Sequence, residues 1–379
     1  MTTQPLTDTE AGQACEDCLR RSWLVARLGA QLDITRRRGR DLPLVFDLPD
    51  PRLIAAIAGG TRPMVEREYD SFDPRAAAAR CSAAGVETIC RCDPAYPHRL
   101  AAAPGAPAVL HVAGGRDRCV ALLAADAVSI VGARRGSAYG LEVARSLGRS
   151  LGAAGLTVIS GMALGIDSAA HAGTLEAAGA TVAVLPVGAE RPYPASKRAL
   201  YRRIVGSGVA ISELPPGTES RRWGFPARNR IIAGLSVMTV VVEAGRRSGS
   251  LITAGVAEDL ARPLGAVPGR VTSALSAGTN DLLARGARVV RDAGDVLDAI
   301  FGAGARPLPA CGTGEPVRAD LRDLLDAIGE GCDTLGALGA LAGSGRSLET
   351  TLTGLAELEL GGHIRREAGG RYVVLLPGA

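Results

Sequence analysis

Apolar positions in the middle of the chain come in short, nearly unbroken runs separated by stretches of helical length. The runs are Val128–Val131, Thr157–Ser160, Thr181–Val187, Val209–Glu213, Met238–Glu243, Leu264–Val267 and Arg288–Val290. Their side chains do not alternate with polar ones, as expected of strands covered by helices on both faces of a parallel sheet. The intervening segments, such as Gly140–Ala154 and Ser168–Ala178, are rich in Ala, Leu and Arg and read as helices. The pattern predicts an α/β core, an extended Rossmann-like doubly wound parallel sheet, over residues 96–302. Several strands run into a glycine (Gly132, Gly161, Gly188, Gly245), so the loops at their carboxyl ends are where a ligand would approach the backbone.

Two weaker patterns flank this core. Residues 1–95 read as an N-terminal helical domain with breaks at Leu42–Pro43 and Asp73–Pro74, and the pattern assigns it no fold. Residues 303–315 are a Gly/Pro/Ala-rich linker. Residues 316–379 predict helices near Leu321–Ile328, Thr334–Leu341 and Leu348–Leu360, then a strand pair around Gly369–Gly370, the layout of a winged helix.

Charge sharpens the picture. The chain of 379 residues carries a formal charge of only +4. Between Arg191 and Arg247, however, eleven Lys and Arg face three acids, leaving the remainder at −4. A basic stripe on a mildly acidic body fits a polyanion-binding face, although a solvated arginine-rich surface gives the same count. The polar N-terminus has no secretory core segment and no apolar run is long enough for a bilayer, which predicts a cytoplasmic protein. Eight cysteines then read as reduced thiols. Cys15 and Cys18, with Cys81, Cys90 and Cys92, could alternatively hold zinc, but the second pair is C-x-C and no histidine completes a usual spacing. The expectation is therefore buried free thiols and no metal.

Three loops carry candidate chemistry. The first, Ile130 to Gly140 (IVGARRGSAYG), has glycines at 132, 136 and 140, so it lacks the G-x-G-x-x-G dinucleotide fingerprint. No Walker A lysine exists, leaving Arg134 and Arg135 to hold phosphate or base edges. The second (SGMALGIDSAAH) contains Ser160, Asp167 and His171, but no nucleophile elbow; Asp167 and His171, one helical turn apart, are expected to bond to each other. The third, Ser220 to Arg230 (SRRWGFPARNR), sets Trp223 and Phe225 among Arg221, Arg222, Arg228 and Arg230. Rings that stack bases beside arginines that follow a backbone suit a single strand; aromatics capping the edge of the core would look the same. A further glycine-rich basic loop, from Gly245 through Arg247 and Ser248, leads into a helix.

These segments together, with YPASKRAL, SELPPGTES, AVPG and GTNDLLARGARVV, resemble the DNA-processing protein A (DprA, or Smf) family over residues 93–291. The C-terminal LAELELGGHIRREAGGRYV resembles the winged-helix module that some members carry. The resemblance implies non-sequence-specific binding of single-stranded DNA, homodimerisation through the Rossmann core and handing of the strand to the RecA recombinase, with no catalysis and no cofactor. It places DNA contacts at Arg134, next to Gly132, at Arg222 and at the stacking Phe225; the loops themselves add Gly132, Arg135, Arg247 and Ser248 as candidate contacts. Lys197 and Arg198 share one basic position whose register is open. Arg228 and Arg230 are carried as contacts that also tie the loop to the sheet. The third C-terminal helix holds Glu349, Glu357 and Glu359, which leaves duplex DNA and a protein both open as its partner. The reading from another class is a nucleotide-binding or nucleotide-hydrolysing Rossmann-like enzyme, against which GRRSGSLITA offers no glutamate to activate water.

Overall fold

The computed structural model describes residues 13–39, 41–306, 317–341, 347–361, 363–366 and 370–374. The expected linker falls outside them from residue 307 onward, as does Gly369.

Nine strands form one sheet: β1 (Glu87–Cys90), β2 (Val109–Ala113), β3 (Ala127–Val131), β4 (Thr157–Ser160), β5 (Thr181–Val184), β6 (Val209–Ser212), β7 (Met238–Val241), β8 (Leu264–Ala266) and β9 (Arg288–Val289). Their spatial order is β1-β2-β6-β5-β4-β3-β7-β8-β9. From β6 to β9 every pairing is parallel, whereas β2 pairs antiparallel with β6 and β1 antiparallel with β2. The mostly parallel sheet was expected; the antiparallel edge was not. Because β1 belongs to the sheet, it begins before the expected boundary at residue 95.

Helices cover both faces, so successive strand residues are buried on opposite sides. In β3, Ala127 and Val131 join one apolar cluster and Val128 and Ile130 the other. Helix Ala138–Ala153 supplies Val143, Leu147 and Leu151 to the second cluster, and helix Gly224–Leu235 supplies Ile231, Ile232 and Leu235 to the first. The buried Ser129 hydroxyl of β3 donates to Thr239 of β7 at 2.8 Å. β5 ends at Val184 rather than Val187, just before Pro186, which has no N–H for a ladder.

The chain leaves β3 in one direction to β4, β5 and β6, and in the other to β7, β8 and β9. That reversal opens a crevice outside the carboxyl ends of β3 and β7.

The N-terminal helices pack Leu24, Leu28, Leu32, Phe46 and Leu53 against Leu214 and Trp223 of the core. Asp73 caps helix Pro74–Ala83 by accepting from the Arg75 and Ala76 amides, which explains the break there. At the other end, helices Ala319–Gly329, Leu335–Leu341 and Leu348–Leu360 and the antiparallel strands Ile364–Arg366 and Tyr372–Val374 enclose their own apolar cluster, including Leu324, Leu355 and Tyr372. No helix among the described residues is long and apolar enough to cross a membrane.

Candidate nucleic-acid interface

Glu243, at the end of β7, shapes the first loop. Its buried carboxylate accepts from the Ser137 amide at 2.8 Å and the Ser137 hydroxyl at 2.6 Å, while its carbonyl accepts from the Ala133 amide at 2.7 Å. Ser137 in turn caps helix Ala138–Ala153 through the Gly140 amide. The loop is thereby pinned at both ends, with Arg134 and Arg135 exposed between them. Gly165, with φ +80°, lets the next loop approach: a Cβ there would meet the Arg134 carbonyl carbon at 2.7 Å.

The Arg134 guanidinium lies over the Phe225 ring, 4.9 Å from its centroid, and Tyr193 packs on the same Phe225 at 5.4 Å. A cavity of about 310 Å³ opens here, lined by Gly132, Arg134, Phe225, Ser248 and the start of helix Ser250–Asp259. Asn229 holds the loop after β7 in place by donating to the Gly249 carbonyl at 3.1 Å. Of the residues expected to contact DNA, the structure thus gathers Gly132, Arg134, Phe225 and Ser248 around one cavity, with Arg228 at its floor. Arg135, Arg222 and Arg247 are exposed on loops, Arg198 is exposed at the start of helix Arg198–Ser207, and Lys197 is half-buried beside it. These five do not line the cavity.

Arg228 and Arg230 are interior, unlike the other basic candidates. Arg228 is buried, donates to the carbonyls of Gly161 and Val184, and lies 3.6 Å from Asp167. Burial pushes the Asp167 carboxyl above the usual carboxylate range, and the Arg228 charge pulls it back. Arg230 is 2% exposed, forms a two-pronged pair with Glu213 at 2.6 and 3.0 Å, and lies 4.5 Å from the centroid of Phe46. It clamps the N-terminal helices to the core and offers no donor to solvent. Trp223 is likewise interior, 1% exposed and 6.0 Å from Phe46, so of the two aromatics in that loop only Phe225 faces the crevice. The basic stripe survives these losses: nine of its eleven cations stay at least partly exposed, against Glu219 as its single exposed acid.

Ser160, Asp167 and His171 do not form a triad. The Ser160 hydroxyl donates to the Ile130 carbonyl at 2.6 Å, and the His171 Nδ1 meets the Thr181 hydroxyl at 2.7 Å. The expected Asp167–His171 bond is replaced by these separate partners. Tyr193, Asn229 and Glu243 were not singled out from the sequence; for Glu243 the available signal was an acid ending an apolar strand.

Residues 87–301 match the family described as DNA recombination-mediator protein A. A putative DNA processing protein DprA of Mycobacterium tuberculosis is 40% identical over 68% of this chain, and the match spans 66% of that relative's length. The Bacillus subtilis DNA processing protein DprA is 35% identical over 56% of this chain and 71% of its own. Among solved structures, DNA processing protein A from Streptococcus pneumoniae superposes with a TM-score of 0.60 at 30% identity, covering 75% of this chain and 96% of that one. DNA processing protein A from Helicobacter pylori, described for its single-stranded DNA binding mode, gives a TM-score of 0.51 at 27% identity over 56% and 94% of the two chains. With its mostly parallel sheet, its crevice and these matches together, the chain belongs to the DNA recombination-mediator protein A family, whose members are called DprA or Smf.

Proposed function

We propose that this protein binds single-stranded DNA without sequence specificity along the crevice at the carboxyl ends of β3 and β7, and delivers it to the RecA recombinase during DNA uptake and recombination. The observation that carries the reading is the exposed Arg134 guanidinium stacked on Phe225 at the mouth of the cavity. Phe225 offers a ring on which a splayed base stacks, and Arg134 contributes a charge and a second planar surface beside it. Gly132 and Ser248 line the same cavity, where the short Gly132 backbone and the Ser248 hydroxyl, bonded to Ser250 at 2.8 Å, flank the path of a phosphate. Arg135, Lys197, Arg198, Arg222 and Arg247 extend a positive track for the backbone on either side.

The protein acts here as a cytoplasmic binding and loading factor rather than an enzyme. The one carboxylate lining the cavity, Asp167, is committed to Arg228 and to the Ala163 amide, which leaves no base placed to activate water. Functionally it comprises a helical N-terminal domain, the Rossmann-like DNA-binding domain, and a C-terminal winged helix whose acidic third helix suits a protein partner. It works as a homodimer through the Rossmann core, so that two crevices can hold one strand.

Arg134→Glu tests the site. The variant keeps the wild-type circular dichroism and unfolding midpoint, because Arg134 is exposed, and loses about tenfold or more in affinity for a labelled poly-dT strand. Undiminished affinity in a folded variant removes Arg134 from the interface.

A further inference from the structure

Helix Glu16–Arg27 begins beside the outermost strand of the sheet, and four cysteines meet at that junction. Cys15 is the residue preceding the helix and Cys18 lies in its first turn. Cys90 ends β1 and Cys92 lies in the turn after it. All four sulfurs fall within 4.8 Å of one another, and Cys18 and Cys92 are 3.8 Å apart. We propose that Cys15, Cys18, Cys90 and Cys92 form a structural zinc site that fastens the N-terminal helices to the edge of the sheet.

The distances fit one small ion. Four sulfurs each about 2.3 Å from a tetrahedral Zn²⁺ are separated by about 3.8 Å. A disulfide needs its sulfurs at about 2.05 Å, and a polynuclear iron–sulfur cluster needs them spread around an inorganic core. The C-x-C spacing that argues against zinc in the sequence is resolved by geometry. Residues i and i+2 leaving an extended strand project to one side, and the turn closed by the Asp93 amide on the Cys90 carbonyl at 2.9 Å brings Cys92 round. Cys81, the fifth candidate, is not in the cluster; its sulfur sits instead 3.7 Å from Nδ1 of His111.

Cys15 stands at the positive end of a helix, and backbone amides of Cys18 and Cys92 lie against the sulfurs of Cys15 and Cys90. Cys18 and Cys90 are buried with Leu19 and Val109, whereas Cys92 is exposed and gives the ion a way in. Binding converts four thiols and Zn²⁺ into a tetrathiolate complex of charge −2 and releases four protons to solvent. The gain is a cross-link between segments far apart in sequence, at a junction where the Ala14 amide already donates to Thr88 at 2.9 Å.

The test is the metal content of the full chain purified under reducing conditions without chelator, by plasma mass spectrometry. Wild type is expected to hold about one zinc per chain, the Cys15→Ser/Cys92→Ser variant about tenfold less, and Cys81→Ser as much as wild type. Adding Co²⁺ to the reduced, metal-stripped wild type should produce the visible absorption of tetrahedral cobalt thiolate, absent in the double variant. Dipicolinate should lower the wild-type melting temperature, which reads the site even if the double variant does not fold. Iron in place of zinc, no metal with no cobalt spectrum, or full zinc retention in the double variant each overturns the proposal.

Discussion

Arg230 lies in the interior against Glu213 and the Phe46 ring, whereas Arg134 lies at the surface over Phe225. Their removal should therefore be felt in different measurements. Arg230→Ala strands the Glu213 carboxylate in a buried site and is expected to cost about 3–5 kcal/mol in urea unfolding. Phe225→Ala removes a half-buried ring and no charge. It should weaken single-stranded DNA binding by about 1–3 kcal/mol while leaving the slope of log K against log salt unchanged. A loss of stability without loss of affinity would move Phe225 to the side of Trp223. The sequence shows both rings beside arginines, yet Trp223 precedes helix Gly224–Leu235 and enters the N-terminal core while Phe225 turns to the crevice. That separation depends on how the helix docks, which local sequence does not encode.

Among the elements, strands β3 to β9 were legible as short, mostly apolar runs spaced by segments of helical length. β1 and β2 were not. β1 is four residues with polar Glu87 and Thr88, and β2 holds His111 at its centre, so neither run stands out. Their apolar residues are divided between clusters, Ile89, Leu110 and Val112 entering the main core and Cys90 and Val109 packing with helix Glu16–Arg27. The loops were legible as glycine-rich and basic, but what orders them was not, since Glu243 acts across 106 residues of sequence on Ser137. The loop geometry gives a prediction at this scale. Gly165→Ala places a methyl against the Arg134 backbone at a positive φ, and so must shift the first loop. Weaker binding to poly-dT with little change in the salt slope is expected, as the charges remain; unaltered affinity would mean that the loop need not be held where it is.

Over the whole molecule, two buried histidines set an acid limit. Burial pushes both His111 and His171 down to about 3, and the Arg228 charge adds to the effect at His171. In the unfolded chain each protonates near pH 6.5. Stability is thus complete above about pH 6.5 and is lost as pH falls from there toward 3. Each histidine costs about 2 kcal/mol between pH 7 and pH 5, and the raised carboxyl of Asp167 works in the opposite sense as pH falls. Urea unfolding at the two pH values checks this, and equal stabilities would contradict it. The proposed grip on single strands draws on the basic stripe, the crevice and the folded core together. The most direct test is fluorescence anisotropy with labelled poly-dT and a duplex of equal length across a salt series. Tighter binding to the single strand, weakening steeply as salt rises, is the predicted result. Equal affinity for the two, or none for either, would contradict the account and return the crevice to a small nucleotide ligand.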